Sequence, residues 1–213
     1  ILLAFIIPAL LFYVVFWISP VLMSFYYGLT NWRGMGDFDI VGMKNYANLI
    51  KQGTLFNSMG NTIKYTLFVV IWGNIQALAL AMILNMKLKA RGVFRTIFYI
   101  PALFSSIVVA FLWSYVYAPH YGMISEIFNL FGSSNAPNLL GSKATSLFAA
   151  AFVETWKTSG TMTIIYLAGL QNISEEVIES AKIDGCNGWQ AIRYVKIPML
   201  ANTITVNVML GLI

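Results

Sequence analysis

Residues 1–29 of this 213-residue chain read ILLAFIIPALLFYVVFWISPVLMSFYYGL, an apolar run without a charged side chain. A helix needs about 20 apolar residues to cross a bilayer, so this stretch is long enough for one span. Pro8 and Pro20 fall inside it, and spanning helices tolerate proline because neighbouring groups satisfy the freed carbonyls. The run therefore predicts a first membrane-spanning helix.

Further apolar runs follow along the chain, separated by polar segments. They cover residues 62–86, 96–118, 144–170 and 199–213. The chain is 59% hydrophobic and 10% charged, whereas soluble domains carry about 25% charged residues. The pattern predicts an all-α polytopic membrane protein with five traceable spans. The first and last runs are cut by the ends of the sequence, so both ends look trimmed.

The basic residues predict the orientation of these spans. Cytoplasmic loops of membrane proteins carry an excess of Lys and Arg. The densest basic loop is KLKARGVFR at 87–95, with no acidic residue and four bases: Lys87, Lys89, Arg91 and Arg95. With that loop in the cytoplasm, alternation places the N-terminus and residues 171–198 inside, and residues 30–61 and 119–143 outside. We therefore expect a multi-pass protein of the bacterial cytoplasmic (inner) membrane.

Composition also argues against several other classes. The net charge of +5 lies in loops between apolar runs, so it indicates membrane topology and not nucleic-acid binding. A single cysteine, Cys186, permits no internal disulfide, and a single histidine, His120, argues against a multi-histidine metal site. No G-x-x-x-x-G-K-[ST] pattern for nucleotide phosphates occurs in the sequence. We predict no catalytic residue and no metal ligand.

The polar segment 171–198 lies between the last two apolar runs and contains sequence signals for the start and end of helices. Ser174 followed by Glu175 and Glu176 is typical of a helix N-terminus, with a hydroxyl cap and acids in the first turn. Gly185 permits the backbone conformation that ends many helices. A second short helix is predicted after it, ending near Pro198 at the start of the last span. The segment is thus predicted as helix, glycine turn and helix along the cytoplasmic surface.

Within this segment, ESAKIDGCNGWQAIRYVKIP at 179–198 resembles the EAA motif of bacterial ATP-binding-cassette importer permeases. That motif reads Glu-Ala-Ala, three residues, Gly, nine residues, Ile, any residue, Leu-Pro. Three positions depart from it mildly: Ser180 replaces Ala, Val195 replaces Ile and Ile197 replaces Leu. Similarity to the sugar branch, and to the first permease subunit of maltose and glycerol-phosphate systems, continues outside the motif at 30–36, 41–50, 94–103 and 167–173.

The resemblance implies the type I importer fold, with residues 1–213 as a single transmembrane domain. That fold has six core spans, so a sixth span is expected after residue 213. In the family this loop grips the ATPase, which implies a coupling role for Glu179, Ser180, Ala181, Asp184, Gly185, Ile197 and Pro198. The chain would bind no cofactor, with ATP and Mg²⁺ on the partner ATPase. The implied partners are a second related permease, two ATPase subunits, an extracytoplasmic solute-binding protein and a sugar or oligosaccharide.

The predicted substrate path lies in the fourth span, where charged side chains are costly and indicate function. By the resemblance, the helix before the coupling loop lines the sugar site at Glu154, Lys157, Thr158 and Thr161. The alternative is that Glu154 and Lys157 form a structural pair or bind the partner permease. Elsewhere, Asn74 and Gln76 are predicted to form interhelical hydrogen bonds. Trp113 and Tyr117 are predicted to anchor the helix at a membrane–water interface, where aromatic residues are enriched.

Two other functions are considered. An ion-coupled secondary transporter of a small polar solute needs ionisable residues at mid-membrane, which Glu154 and Lys157 supply, but also a matching second half that this sequence lacks. An intramembrane enzyme needs a nucleophile and base, or a metal set, at depth. With one histidine and one cysteine, both in predicted loops, the sequence argues against an enzyme.

Overall fold

The computed structural model describes residues 2–86, 89–133 and 136–213. Ile1 of the first predicted span and Lys87 of the predicted basic loop lie outside these residues. The regular structure described is helical, with one isolated bridge between Thr30 and Ile40, which confirms the all-α prediction. The helices are α1 (Leu2–Tyr13), α2 (Ser19–Gly28), α3 (Lys44–Lys51), α4 (Thr54–Asn85), α5 (Arg91–Leu103), α6 (Ser106–Val116), α7 (Met123–Leu130), α8 (Ser146–Gln171), α9 (Glu175–Ile183), α10 (Gly188–Ala191), α11 (Ile197–Met199) and α12 (Ala201–Leu212).

The chain forms two compact units, Ile1–Gly60 and Asn61–Ile213. In the first unit, α1 and α2 are joined without a break by a π-helical segment, Val14–Ile18. Pro20 is the second residue after this segment. It has no N–H donor, and its ring crowds the carbonyl four residues earlier, which a local π turn accommodates. The amphipathic helix α3 is tied to the end of α2 by Asn45, whose Nδ2 donates to Gly28 O at 2.9 Å and Thr30 O at 2.7 Å.

In the second unit, the core forms where α4 packs against α8. Gly73, Ala77 and Ala81 recur every fourth residue on one face of α4 and are buried. A Cβ added at Gly73 would lie 3.6 Å from Thr155 Cγ2 and 3.7 Å from Met162 Sδ of α8. Small residues at this spacing let spanning helices approach closely. The contact therefore fixes α8, and the side chains it carries, against the longest helix.

The predicted third span, 96–118, is not one continuous helix. The structure has α5 and α6 instead, bent by 101° at Phe104 and Ser105. Phe104 is extended, with φ −76° and ψ 140°, and Ser105 starts a new helix by accepting a hydrogen bond from Val108 N at 3.3 Å. Pro101 in the last turn of α5 removes a donor at this point. The run of apolar residues is continuous, but the helix is interrupted.

The chain also bends ahead of the last predicted span. The helical stretch Gly188–Met199 meets α12 at an angle of 69°, and the break falls at Leu200. Pro198 therefore lies near the end of the incoming helix and not at the start of the span, which corrects the prediction. A π-helical segment, Ile192–Lys196, directly precedes α11. It accommodates Pro198 as the earlier π segment accommodates Pro20.

By length and composition, two helical stretches in the described part can cross a membrane, Phe5–Gly28 and Thr54–Asn85. The number rises to four if each bent pair counts as one span. The predicted fourth span is the 26-residue helix α8, which is long enough but carries Glu154 and Lys157. Many of its residues are buried by protein, so its surface need not be uniformly apolar. The five-span prediction is thus confirmed in part.

Candidate functional site

The predicted glycine turn of the coupling segment, which we define as residues 174–198, is present after α9. Gly185 has φ +81°, a left-handed conformation that favours glycine. Its N–H donates to Lys182 O at 3.0 Å, and the N–H of Cys186 donates to Ala181 O at 3.0 Å. This pair of bonds is a Schellman motif, which satisfies carbonyls at the end of a helix. The helix–turn–helix prediction is confirmed here.

The start of α9 differs from the prediction. Ser174 has the extended backbone of an N-cap residue, but its side chain makes no capping hydrogen bond. Glu175 and Glu176 lie in the first turn, where their charge complements the positive end of the helix dipole. The helix therefore begins where the sequence predicts, with the acids rather than the serine side chain favouring its start.

The second helix of the segment begins with a reciprocal cap. Asn187 Oδ1 accepts from Gln190 N at 2.9 Å, while Gln190 Oε1 accepts from Asn187 N at 2.8 Å. This capping box satisfies two backbone donors within the segment itself. Asn187-Gly188 therefore forms the N-terminus of the helical stretch that runs to Met199. The Asn-x-x-Gln spacing was the signal for it.

The coupling segment has an exposed face and a buried one. Ala181 and Ala191 are buried and let its two helices lie against their surroundings. Exposed on the other side are Glu179, Ser180 and Asp184, with Pro198 also exposed and Ile197 half-buried. Large apolar side chains are exposed as well, with Ile183 at 86% and Trp189 at 68%. The segment thus exposes both acidic and large apolar side chains.

A cavity of about 310 Å³ lies between α6 and α8 and includes two of the predicted substrate-path residues, Glu154 and Lys157. Lys157 Nζ donates to Ser106 Oγ at 2.7 Å. The described residues show no ion pair between Glu154 and Lys157. The other lining residues are Ser106, Val109, Ala110, Trp113, Ser114, Tyr117, Leu140, Ala150 and Val153. The cavity therefore combines two charges, hydroxyl groups and aromatic rings.

The other two predicted path residues do not line this cavity. Thr158 Oγ1 donates to Glu154 O at 2.8 Å, a bond back to the preceding turn of its own helix. Thr161 is exposed one turn further along α8. The structure thus brings Glu154 and Lys157 together in one cavity and leaves Thr158 and Thr161 outside it.

Sequence reasoning missed the contribution of α6. Trp113 packs edge-on against Trp156, with ring centroids 5.4 Å apart, and its buried Nε1 has no hydrogen-bond partner in the described structure. Tyr117 is buried and its hydroxyl donates to Ala149 O at 3.2 Å, so it packs against α8, and the anchoring role of Trp113 and Tyr117 stays a prediction. Ser106, Trp113 and Tyr117 recur at helical spacing, which is the signal that could have placed them on one face.

Apolar helices long enough to cross a membrane, a cavity that contains Glu154 and Lys157, and an exposed coupling segment are the features of a membrane protein with an internal path. Residues 55–213 match the model of the family described as binding-protein-dependent transport system inner membrane component, and the chain belongs to this family.

Relatives in the sugar branch support the resemblance read from the sequence. The probable starch degradation products transport system permease protein AmyD of Thermoanaerobacterium thermosulfurigenes is 30% identical over 98% of this chain and 70% of its own length. The trehalose/maltose transport system permease protein MalF of Thermococcus litoralis is 32% identical over 96% of this chain and 70% of its own. These matches confirm the predicted family.

A solved structure confirms the fold. The crystal structure of a bacterial ABC transporter involved in the import of the acidic polysaccharide alginate contains a chain that superposes with a TM-score of 0.81. The similarity covers 99% of this chain and 71% of that chain, at 22% sequence identity. The helices described above therefore have the arrangement of an ABC importer permease.

Proposed function

We propose that this chain is a membrane-spanning permease subunit that imports a sugar or oligosaccharide, driven by ATPase subunits that dock on the coupling segment. The observation that carries the proposal is the exposed surface of that segment, on which Glu179 and the large apolar side chains of Ile183 and Trp189 are all accessible. A partner that excludes water from such a surface gains apolar burial, and the carboxylate adds an ion pair.

The residues of the EAA motif fall into two groups, those proposed to contact the ATPase and those proposed to maintain the shape of the segment. Glu179, Ser180 and Asp184 are exposed and are proposed to contact the ATPase, with Glu179 paired to a basic residue there. Ala181 and Gly185 are proposed to shape the segment, because one is buried and the other needs φ > 0. Ile197 and Pro198 lie where the segment turns into the membrane and are proposed to pass its movement on.

The proposed mechanism is alternating access. ATP and Mg²⁺ bind the partner ATPases, whose closure pulls the coupling segment and tilts the helices so that the central cavity opens outward. Release of ADP resets the inward-facing state. This division leaves the permease chain without a cofactor, in keeping with a sequence that lacks a nucleotide-phosphate motif.

The substrate path is proposed to include Glu154 and Lys157, together with Thr158 and Thr161 further along the helix. The cavity next to α6 supports the first pair, since hydroxyls and charges there orient a hydroxyl-rich ligand and Trp113 offers a ring face. Thr158 and Thr161 remain a prediction from the resemblance.

The proposed complex contains this chain, a second related permease, two ATPase subunits and an extracytoplasmic solute-binding protein. The alginate transporter, whose chain shares this fold, was crystallised in complex with an alginate pentasaccharide-bound periplasmic protein, which supports a binding protein as a partner. We propose that the N-terminus and the coupling segment face the cytoplasm, since the basic residues around Arg91 and Arg95 favour that side.

The test is a mild-detergent pull-down of the full-length chain from its native membrane, followed by mass spectrometry. Recovery of a cassette ATPase and a second permease at stoichiometric levels supports the proposal. A chain recovered alone or as a homo-oligomer, under conditions that keep a known importer intact, contradicts it. Uptake that survives collapse of the proton gradient while ATP remains excludes ion coupling in the same cells.

A further inference from the structure

Three helix ends meet through side chains close to the start of the coupling segment. Asn85 is the last residue of α4, Arg91 the first of α5, and Gln171 the last of α8. Arg91 Nη2 lies 3.4 Å from Asn85 Oδ1. With the Gln171 amide oriented to suit its neighbours, its Oε1 accepts from Arg91 Nη2 at 3.0 Å and from Arg95 Nη2 at 3.1 Å. A single amide oxygen thus receives two guanidinium groups.

Arg91 and Arg95 are partly buried, so the hydrogen bonds that each guanidinium makes to the Gln171 oxygen matter to both side chains. The Nε atoms of Arg91 and Arg95 are buried and have no hydrogen-bond partner in the described structure. Partly dehydrated donors depend strongly on the few bonds they keep. The guanidinium of Arg91 also lies at the C-terminal ends of α4 and α8, where positive charge complements the helix dipoles. The arrangement favours keeping the three ends together.

The same region is continuous with the coupling segment. A polar cavity of about 560 Å³ is lined by Arg91 and Gln171 and by four charged residues of the coupling segment, Glu175, Glu179, Lys182 and Lys196. Only Asn172 and Ile173 separate Gln171 from that segment. Any displacement of α9 therefore reaches Gln171 before it reaches the rest of α8.

We propose that Gln171, Arg91 and Arg95 form a clamp that transmits movement of the coupling segment to α4 and α5, with Gln171 as its positioning residue. This inference rests on the proposed function, since it needs an ATPase that moves the segment. In the clamp, a pull on α9 moves the Gln171 oxygen, which draws the two arginines and hence α5. Without that oxygen, the polar link between the end of α8 and the start of α5 is lost, while the helix contact at Gly160 remains.

The test compares two replacements of similar length in the purified transporter, reconstituted in liposomes with its ATPase and binding protein. Gln171→Met keeps the shape of the side chain but removes the acceptor. Gln171→Glu keeps the acceptor and strengthens it, because charge-assisted bonds are about twice as strong as neutral ones. Asn172→Ala changes an adjacent exposed amide outside the clamp and is the control. The readout is solute molecules imported per ATP hydrolysed.

We expect Gln171→Met to lower that ratio about tenfold, within the range of coupling factors common between two sites, while ATPase binding is unchanged. Gln171→Glu and Asn172→Ala are expected to retain the wild-type ratio. A wild-type ratio for Gln171→Met overturns the clamp, and so does loss of coupling in both Gln171 variants. A Gln171→Met chain that no longer binds the ATPase also overturns it, since the residue would then act in docking. If the wild-type chain itself takes up no solute with an ATPase, the proposed function fails instead.

Discussion

The hydroxyl of Tyr166 in α8 donates to Asn74 Oδ1 in α4 at 2.5 Å, joining two residues 92 positions apart. Asn74 Nδ2 donates in turn to Val70 O, one turn back in its own helix, at 2.7 Å, which fixes the orientation of the amide. The interhelical role predicted for Asn74 is confirmed. The interhelical role predicted for Gln76 is not confirmed, since its buried Oε1 has no hydrogen-bond partner in the described part of the chain. Tyr166 itself is almost fully buried.

Replacing Tyr166 with phenylalanine removes this bond and leaves the ring in place. We expect a loss of about 0.6 kcal/mol, the average measured for side-chain hydrogen bonds between spanning helices, and at most about 1.7 kcal/mol. The measurement is the unfolding midpoint in detergent, followed by fluorescence. Tyr115→Phe, which removes an exposed hydroxyl, is the control. Equal midpoints for the two variants would show that the bond contributes no stability.

Gly160 is predicted to tolerate no side chain. A Cβ built there would lie 2.8 Å from Tyr99 Cα, in the backbone of α5, so α5 and α8 must separate to admit it. Gly160→Ala is expected to cost about 1–3 kcal/mol, as overpacking does. Gly92→Ala changes a glycine in α5 with nothing within 4 Å, and it should be neutral or stabilising by up to about 1 kcal/mol. Similar thermal stability of the two variants would contradict this view of the helix contact.

Glu179→Ala is predicted to abolish ATP-dependent uptake while leaving helical content and substrate delivery intact. The carboxylate is exposed, so its loss costs the fold little, but the docked ATPase loses its charge partner. Circular dichroism, binding of the loaded solute-binding protein and uptake into proteoliposomes are measured together. Glu176→Ala, one turn earlier in the same helix, is the matched control. Unchanged uptake by Glu179→Ala would remove this residue from the coupling mechanism.

Lys157→Met is predicted to weaken substrate recognition without affecting the ATPase interface. A charged donor to a sugar hydroxyl contributes about 1.5–3 kcal/mol, so the half-saturating concentration should rise at least about tenfold. Lys143→Met, in the loop before α8, is the control. Wild-type half-saturation in Lys157→Met would support the alternative in which Lys157 binds only Ser106 and has a structural role.

The coupling segment was predictable because its determinants are local. Gly185 and the two acids after Ser174 act within a few residues of themselves, so the order of helix, turn and helix follows from the sequence. The bend at Phe104 was missed because a continuous run of apolar residues indicates burial in lipid or protein but gives no information on where the helix bends. Pro101 and Ser105 are local signals of a helix boundary, but the length of the apolar run, which suits one continuous span, favoured an unbroken helix.

Side-chain partners across the fold could not be predicted in the same way. Nothing near Gln171 in the sequence indicates that two arginines about 80 positions earlier converge on it. The same holds for Trp113, whose role depends on which face of α6 meets Glu154 and Lys157. Periodicity places residues on a face, whereas the identity of the facing helix depends on tertiary packing.

The turn between the two helices of the coupling segment is capped on both sides from within the segment, by the Schellman bonds around Gly185 and the reciprocal bonds of Asn187 and Gln190. Its shape is therefore set before any partner arrives. Binding to such a preorganised surface orders few additional bonds, so little conformational entropy is lost on association. Under the proposed function, an ATPase can therefore bind this segment and dissociate from it repeatedly while the segment keeps its fold.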